Sequence, residues 1–186
     1  MKFAMLLVSA GALLAMPAFA QPLSLAHFDS VSATDGADVA IRHGAVQQVV
    51  ILKGDALTSK VEVENGTLVV ETCRHICPWH YNLKIAVTLP YLKSVSADDG
   101  GDIRAEGDFP AQPTLAVHAD DGGDVDMRAI PAARADASAD DGGEIRVRAT
   151  ANLNATAKDG GEVRYSGRPT LNMRTDDGGE IRSDGN

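Results

Sequence analysis

The chain has 186 residues, a formal charge of −9 at neutral pH and only 4% aromatic residues. An acidic balance without a Lys/Arg cluster argues against nucleic acid and anionic membranes as partners. Few aromatics beside many Ala, Gly and Val residues imply a thin core of small side chains.

Residues 1–20 read as a signal peptide, with Lys2 as a short positive start, "FAMLLVSAGALLAM" as the apolar stretch and "AFA" before Gln21 as the cleavage site. No Cys follows that cut, which argues against a lipid anchor, and no later apolar run is long enough for a membrane span. Residues 21–186 then suit a single domain, exported to the periplasm or to the extracellular cell surface of a bacterium.

Residues 21–91 form a strand-rich N-terminal part. "ADVAIRH", "QQVVILKG", "KVEVENGTLVVET" and "LKIAVTLP" alternate or run apolar with β-branched residues, which predicts strands. Asn65-Gly66 between two such runs predicts a hairpin.

Residues 92–186 repeat. "ADDGGDIRAE", "ADDGGDVDMR", "ADDGGEIRVR", "AKDGGEVRYS" and "TDDGGEIRSD" place Asp98, Asp120, Asp140, Lys158 and Asp176 at equivalent positions, with steps of 22, 20, 18 and 18 residues. Such a period signals stacked coils. Three columns should face inward: Ile103, Val125, Ile145, Val163 and Ile181; Val95, Val117, Ala137, Ala155 and Met173; Ala97, Ala119, Ala139, Ala157 and Thr175. A column of acids from Asp102 to Glu180 and a column of Arg104, Asp126, Arg146, Arg164 and Arg182 should alternate on the outside as a charge checkerboard. The glycine pair supplies a corner, and the preceding Asp can bond the turn backbone. The expected fold is all-β, a right-handed parallel β-helix-like solenoid whose first coil is covered by the N-terminal strands.

At this point the chain resembles the adhesin-head GIN domain, a DUF2807-type family. The resemblance runs through Phe28, through Gly66, Leu68 and Val70, and through Val87, Leu89, Pro90, Leu92 and Val95 before the glycine-bearing coils. It implies a β-rich, non-enzymatic surface or envelope protein, and it brings no catalytic residue with it. The acidic corners and the "CRHICPWHY" stretch depart from the family pattern.

Three groups are candidates for chemistry. Stacked corners would gather Asp98, Asp99, Asp120, Asp121, Asp140, Asp141, Asp159, Asp176 and Asp177, which are oxygen ligands suited to Ca²⁺. Against that reading, one motif per coil is sparser than known Ca²⁺-binding nonapeptide repeats, so solvated corner residues are the favoured reading. Cys73, His75, Cys77 and His80 offer zinc or copper ligands, but an exported pair of cysteines favours a Cys73–Cys77 disulfide. Trp79 and Tyr81 are either a ligand contact or a cover for one end of the core.

Catalytic carboxylate pairs are singular, whereas these acids recur with the repeat, so neither catalytic residues nor a cofactor are assigned. The expected role is an adhesin-like binding scaffold. The alternatives are a cation- or polysaccharide-binding module and, less favoured, a polysaccharide-cleaving enzyme. Ser183 and the polar "SDGN" finish predict a capped end; the competing expectation is a homo-oligomer formed through that end.

Overall fold

The computed structural model describes residues 22–74 and 81–185. Their alternating and β-branched runs form strands throughout, with no helix among the described residues. In chain order these are β1 (Ser30–Thr34), β2 (Asp38–His43), β3 (Gln48–Lys53), β4 (Lys60–Glu64), β5 (Thr67–Glu71), β6 (Lys84–Leu89) and β7 (Ser94–Ala97). There follow β8 (Asp102–Glu106), β9 (Gln112–Ala119), β10 (Asp124–Ala139), β11 (Glu144–Ala157), β12 (Glu162–Ser166), β13 (Thr170–Thr175) and β14 (Glu180–Ser183).

All of them join one strongly curled, mixed sheet. Most pairs are parallel and in register with the repeat. Val125 pairs with Ile145, which pairs with Val163, which pairs with Ile181. β10 and β11 are long because each serves two faces. β10 pairs with β8 through Asp124–Asp126 and with β9 through Ala132–Ala139, and register shifts between Met127 and Arg134 mark the bend. Two pairs, β3 with β6 and β4 with β5, are antiparallel, which makes the sheet mixed rather than wholly parallel. Asn65 and Gly66 both take positive φ (51° and 80°), as a tight hairpin turn requires.

The pairing also corrects the repeat count. β1 runs beside β7 and β2 beside β8, so Ala33 matches Ala97 and Asp38 matches Asp102. The stretch "ATDGADV", Ala33 to Val39, is therefore a further copy of the corner, with Asp35 at φ 56°. The N-terminal strands do not simply cover the first coil. β1 and β2 are a coil, and β5 and β6 flank it on the far side.

In each inward column the first four members are buried as expected, whereas Ile181, Met173 and Thr175 of the last coil are not. Ile103, Val125, Ile145 and Val163 are fully enclosed, as are Ala97, Ala119, Ala139 and Ala157. Each buried Val or Ile contributes about 2 kcal/mol. The apolar residues behind the family resemblance, including Phe28, Leu68, Leu89 and Leu92, belong to the same core. Their pattern is thus a record of packing.

The two ends differ. At one, antiparallel β3 and β4 close the sheet, and the edge strand β4 carries Lys60 among Glu62, Glu64 and Glu71 at 3.6, 2.9 and 3.2 Å. At the other, Leu171 and Met173 stand 39% and 49% exposed, and Thr175 is exposed too. The expected polar cap is not there: Ser183 is polar, but Leu171, Met173 and the partly buried Ile181 still present core-column side chains. No helix of the described residues is long and apolar enough to cross a membrane.

Candidate functional site

The corners share one backbone path. At three of them the first Asp accepts a hydrogen bond from the next backbone N–H: Asp98 receives Asp99 N–H and Asp120 receives Asp121 N–H, both at 3.0 Å, and Asp176 receives Asp177 N–H at 3.1 Å, whereas Asp140 Oδ1 is buried without a hydrogen-bond partner among the described residues. The second Asp lies in the left-handed region. Asp99, Asp121, Asp141, Asp159 and Asp177 have φ between 39° and 46°. Asp and Asn tolerate that region better than other side chains bearing a Cβ. The doubled acid is thereby explained as backbone geometry. The second glycine has a different cause: a side chain at Gly123 would meet the Ala97 carbonyl oxygen at 2.3 Å. Ala37 stands at the equivalent place in the "ATDGADV" coil, where the neighbouring strand β5 leads into the Cys73 stretch instead of a tight corner.

Corners also stack through the backbone. Gly100 N–H donates to Asp121 C=O and Gly122 N–H to Asp141 C=O, both at 3.1 Å. This brings carboxylates together. Asp98, Asp120 and Asp121 place one oxygen each within 4.8 Å of one another, and so do Asp140, Asp141 and Asp159. Of the expected acids, Asp99, Asp176 and Asp177 fall outside these two triads. Asp120 beside it, then burial and Asp141, raise the pKa of Asp121 above the ordinary carboxylate value. Burial together with Asp141 and Asp177 raises that of Asp159, and burial with Asp99 raises that of Asp35.

The outward checkerboard forms as expected. Arg146 reaches Asp124 of the preceding coil at 3.0 Å and also pairs with Glu144 of its own. Arg164 lies 3.3 Å from Glu144 and 2.7 Å from Glu162. Arg182 lies 2.5 Å from Glu162 and 2.9 Å from Glu180. The Arg164 hydrogen bond holds Glu162 below the ordinary carboxylate range, with Arg182 adding to it.

The opposite face carries a feature that the repeat pattern did not point to. A trough of about 470 Å³ crosses β1, β5, β7, β9, β10 and β11. Its lining includes Ser94, Ser96, His118, Asp136, Ser138 and Asn154. The floor is low because these outward positions carry mostly short side chains. Several are tied together: Ser94 Oγ donates to Ser30 Oγ at 2.9 Å and Asn154 Nδ2 to Asp136 Oδ1 at 2.5 Å. The hydrogen bond from Arg134, with Asn154 adding to it, lowers the Asp136 pKa. No Lys or Arg lines the trough among the described residues. Asp120 lies 3.9 Å from the lining His118, and Asp98 and Asp140 stand at the equivalent position two residues on from the lining Ser96 and Ser138. The surface therefore offers hydroxyls, an amide and an imidazole beside a negative rim.

The Cys73 stretch links β5 to β6, the place that glycine corners take in other coils. Cys73 is not a free thiol. His75, Cys77, Trp79 and His80 lie outside the described residues. Tyr81 turns inward and packs against the core. Its hydroxyl accepts a hydrogen bond from Asp55 N–H at 2.8 Å and bonds the fully buried Ser59 hydroxyl at 3.0 Å. Tyr81 thus fastens the 54–59 loop at the closed end, in keeping with the cover role rather than ligand contact.

A family model described as "Putative auto-transporter adhesin, head GIN domain" (DUF2807) matches residues 27–116 and 111–169. No curated protein matches. Among solved structures, the chain is similar to a putative adhesin from Bacteroides fragilis NCTC 9343, with 16% identity over 88% of this chain and 94% of that one and a TM-score of 0.54. A putative adhesin from Parabacteroides merdae ATCC 43184 is covered over 94% of its length, and this chain over 88%, at 10% identity and a TM-score of 0.39. At these identities the likeness of the first bears on the fold alone. The family match spans most of the described residues, including the buried positions from Phe28 to Val95: the chain belongs to the DUF2807 adhesin-head GIN-domain family.

Proposed function

We propose that this protein is an exported, non-enzymatic binding protein of the bacterial envelope, and that its ligand is a neutral, hydroxyl-rich polymer of the polysaccharide class lying in the β1–β11 trough. The observation that carries the reading is the trough itself, a 470 Å³ depression with hydroxyl, amide and imidazole groups on its walls and no Lys or Arg among its lining residues. Such groups hydrogen-bond to sugar hydroxyls, while the acidic rim disfavours polyanions. In this reading residues 1–20 are a signal peptide and 21–186 one domain in the periplasm or on the cell surface. The coils follow a right-handed parallel β-helix path, and Cys73 pairs with Cys77. The test is binding of neutral and acidic polysaccharides to wild type and to Ser96→Trp, which fills the trough. Selective binding of a neutral polymer, weakened about tenfold or more by the substitution, supports the proposal. Equal binding by both proteins removes the trough from the account.

The carboxylate triads favour a second reading, in which Ca²⁺ binds at the corners and stiffens the face. Calorimetry and melting curves with Ca²⁺ decide it. Heat and a raised Tm that Asp141→Asn abolishes support it, and a silent titration ends it.

A further inference from the structure

We propose that two copies of this chain join tail to tail through the β13–β14 edge, forming a closed two-fold dimer. Among the described residues β13 pairs only with β11 and β14 only with β12, so the outer edge of each strand has no strand partner. Edge N–H and C=O groups of this kind favour pairing with a further strand. The side chains point the same way. Other coils bury the column containing Met173 to 5% exposure or less, whereas Met173 is 49% exposed and Leu171, matched with the enclosed Leu153, is 39% exposed.

The occupant is indicated by the charges. β14 reads Glu180-Ile181-Arg182, with Glu180 and Arg182 outward and 56% and 48% exposed at their side chains. Antiparallel pairing of two such strands centred on Ile181 sets Glu180 of each copy opposite Arg182 of the other, twice, with the two Ile181 side chains together on the core side. The segment is complementary to itself. At the opposite end β3 and β4 also have an unpaired outer edge among the described residues, but β4 carries Lys60, Glu62 and Glu64, and edge charges of this kind disfavour pairing with another strand, which disfavours head-to-tail stacking into a fibre. A tail-to-tail contact closes after two copies.

Size-exclusion chromatography with light scattering tests this on the 21–186 chain across a micromolar concentration range. Wild type should dimerise. Glu180→Arg and Arg182→Glu, each checked for an unchanged β-sheet circular dichroism spectrum, should each be monomeric, because like charges then face each other twice. An equimolar mixture of the two variants should recover the dimer, because the paired arginines of one copy then face the paired glutamates of the other. Met173→Glu should be monomeric as well. A monomeric wild type, open-ended assemblies, or a dimer that either charge substitution leaves intact would overturn the proposal.

Discussion

A methyl group added to Gly143 would lie 2.4 Å from the carbonyl oxygen of Ala119 in the neighbouring coil. The neighbouring Gly142 has open space around its missing side chain, but its φ is 76°. One glycine is needed for stacking and the other for turning. Gly143→Ala should therefore cost about 3 kcal/mol, because backbone must shift. Gly142→Ala should cost only about 1–2 kcal/mol, the penalty of a left-handed residue. Urea denaturation of the two variants checks the order; the reverse order would break the stacking account.

Three of the second acids, Asp35, Asp121 and Asp159, should contribute stability on mild acidification. Asp121, Asp159 and Asp35 have raised pKa values when folded, so protonation favours the folded state. Their favourable contribution is present below the unfolded pKa and is lost as pH rises through the folded value. At neutral pH these three carboxylates therefore oppose folding. Asp121→Asn keeps a residue suited to left-handed φ and removes one charge. It should raise Tm at pH 7, with a difference that shrinks toward pH 3, as followed by differential scanning calorimetry.

Glu162 behaves in the opposite sense. Its hydrogen bond from Arg164, and that from Arg182, lower its folded pKa. That stability is present above the unfolded pKa and is lost as pH falls through the folded value. Glu162→Gln should cost about 1 kcal/mol at pH 7. The penalty should fade in strong acid, where the wild-type carboxyl is protonated too.

The core tolerates truncation poorly because its layers are thin. Ile145 is fully enclosed. Ile145→Ala should lose about 3 kcal/mol, whereas Ile181→Ala, in the same column at the open end, should lose about 1 kcal/mol. Chemical denaturation of both measures how far the open end is cooperative with the centre.

The columns were legible because "DDGG" fixes their spacing, and Ile103 to Val163 went where period-two alternation sends them. The Ala33–Val39 copy was hidden for two reasons. Thr34 and Ala37 replace an Asp and a Gly, and the chain detours through β3 to β6 before resuming at β7. The signal that could have found it is "DGADV", whose Asp38 and Val39 match Asp102 and Ile103. The trough was illegible because it is a shape, made where Ser94, Ser96 and Ala116 are shorter than their neighbours on other strands. Tyr81 stayed open between ligand contact and core cover because its hydroxyl finds Asp55 and Ser59 only through the fold.

The central claim is that the trough, and not the corners or the Cys73 stretch, holds the ligand. The most direct measurement is amide and imidazole chemical-shift mapping by NMR during titration with a neutral oligosaccharide drawn from a polymer that the protein binds. The account predicts saturable shifts centred on Ser96, His118 and Ser138, with little change at Gly142, Gly143 or Tyr81. Shifts confined to the corners or to the closed end, with Ser96, His118 and Ser138 unmoved, would contradict it.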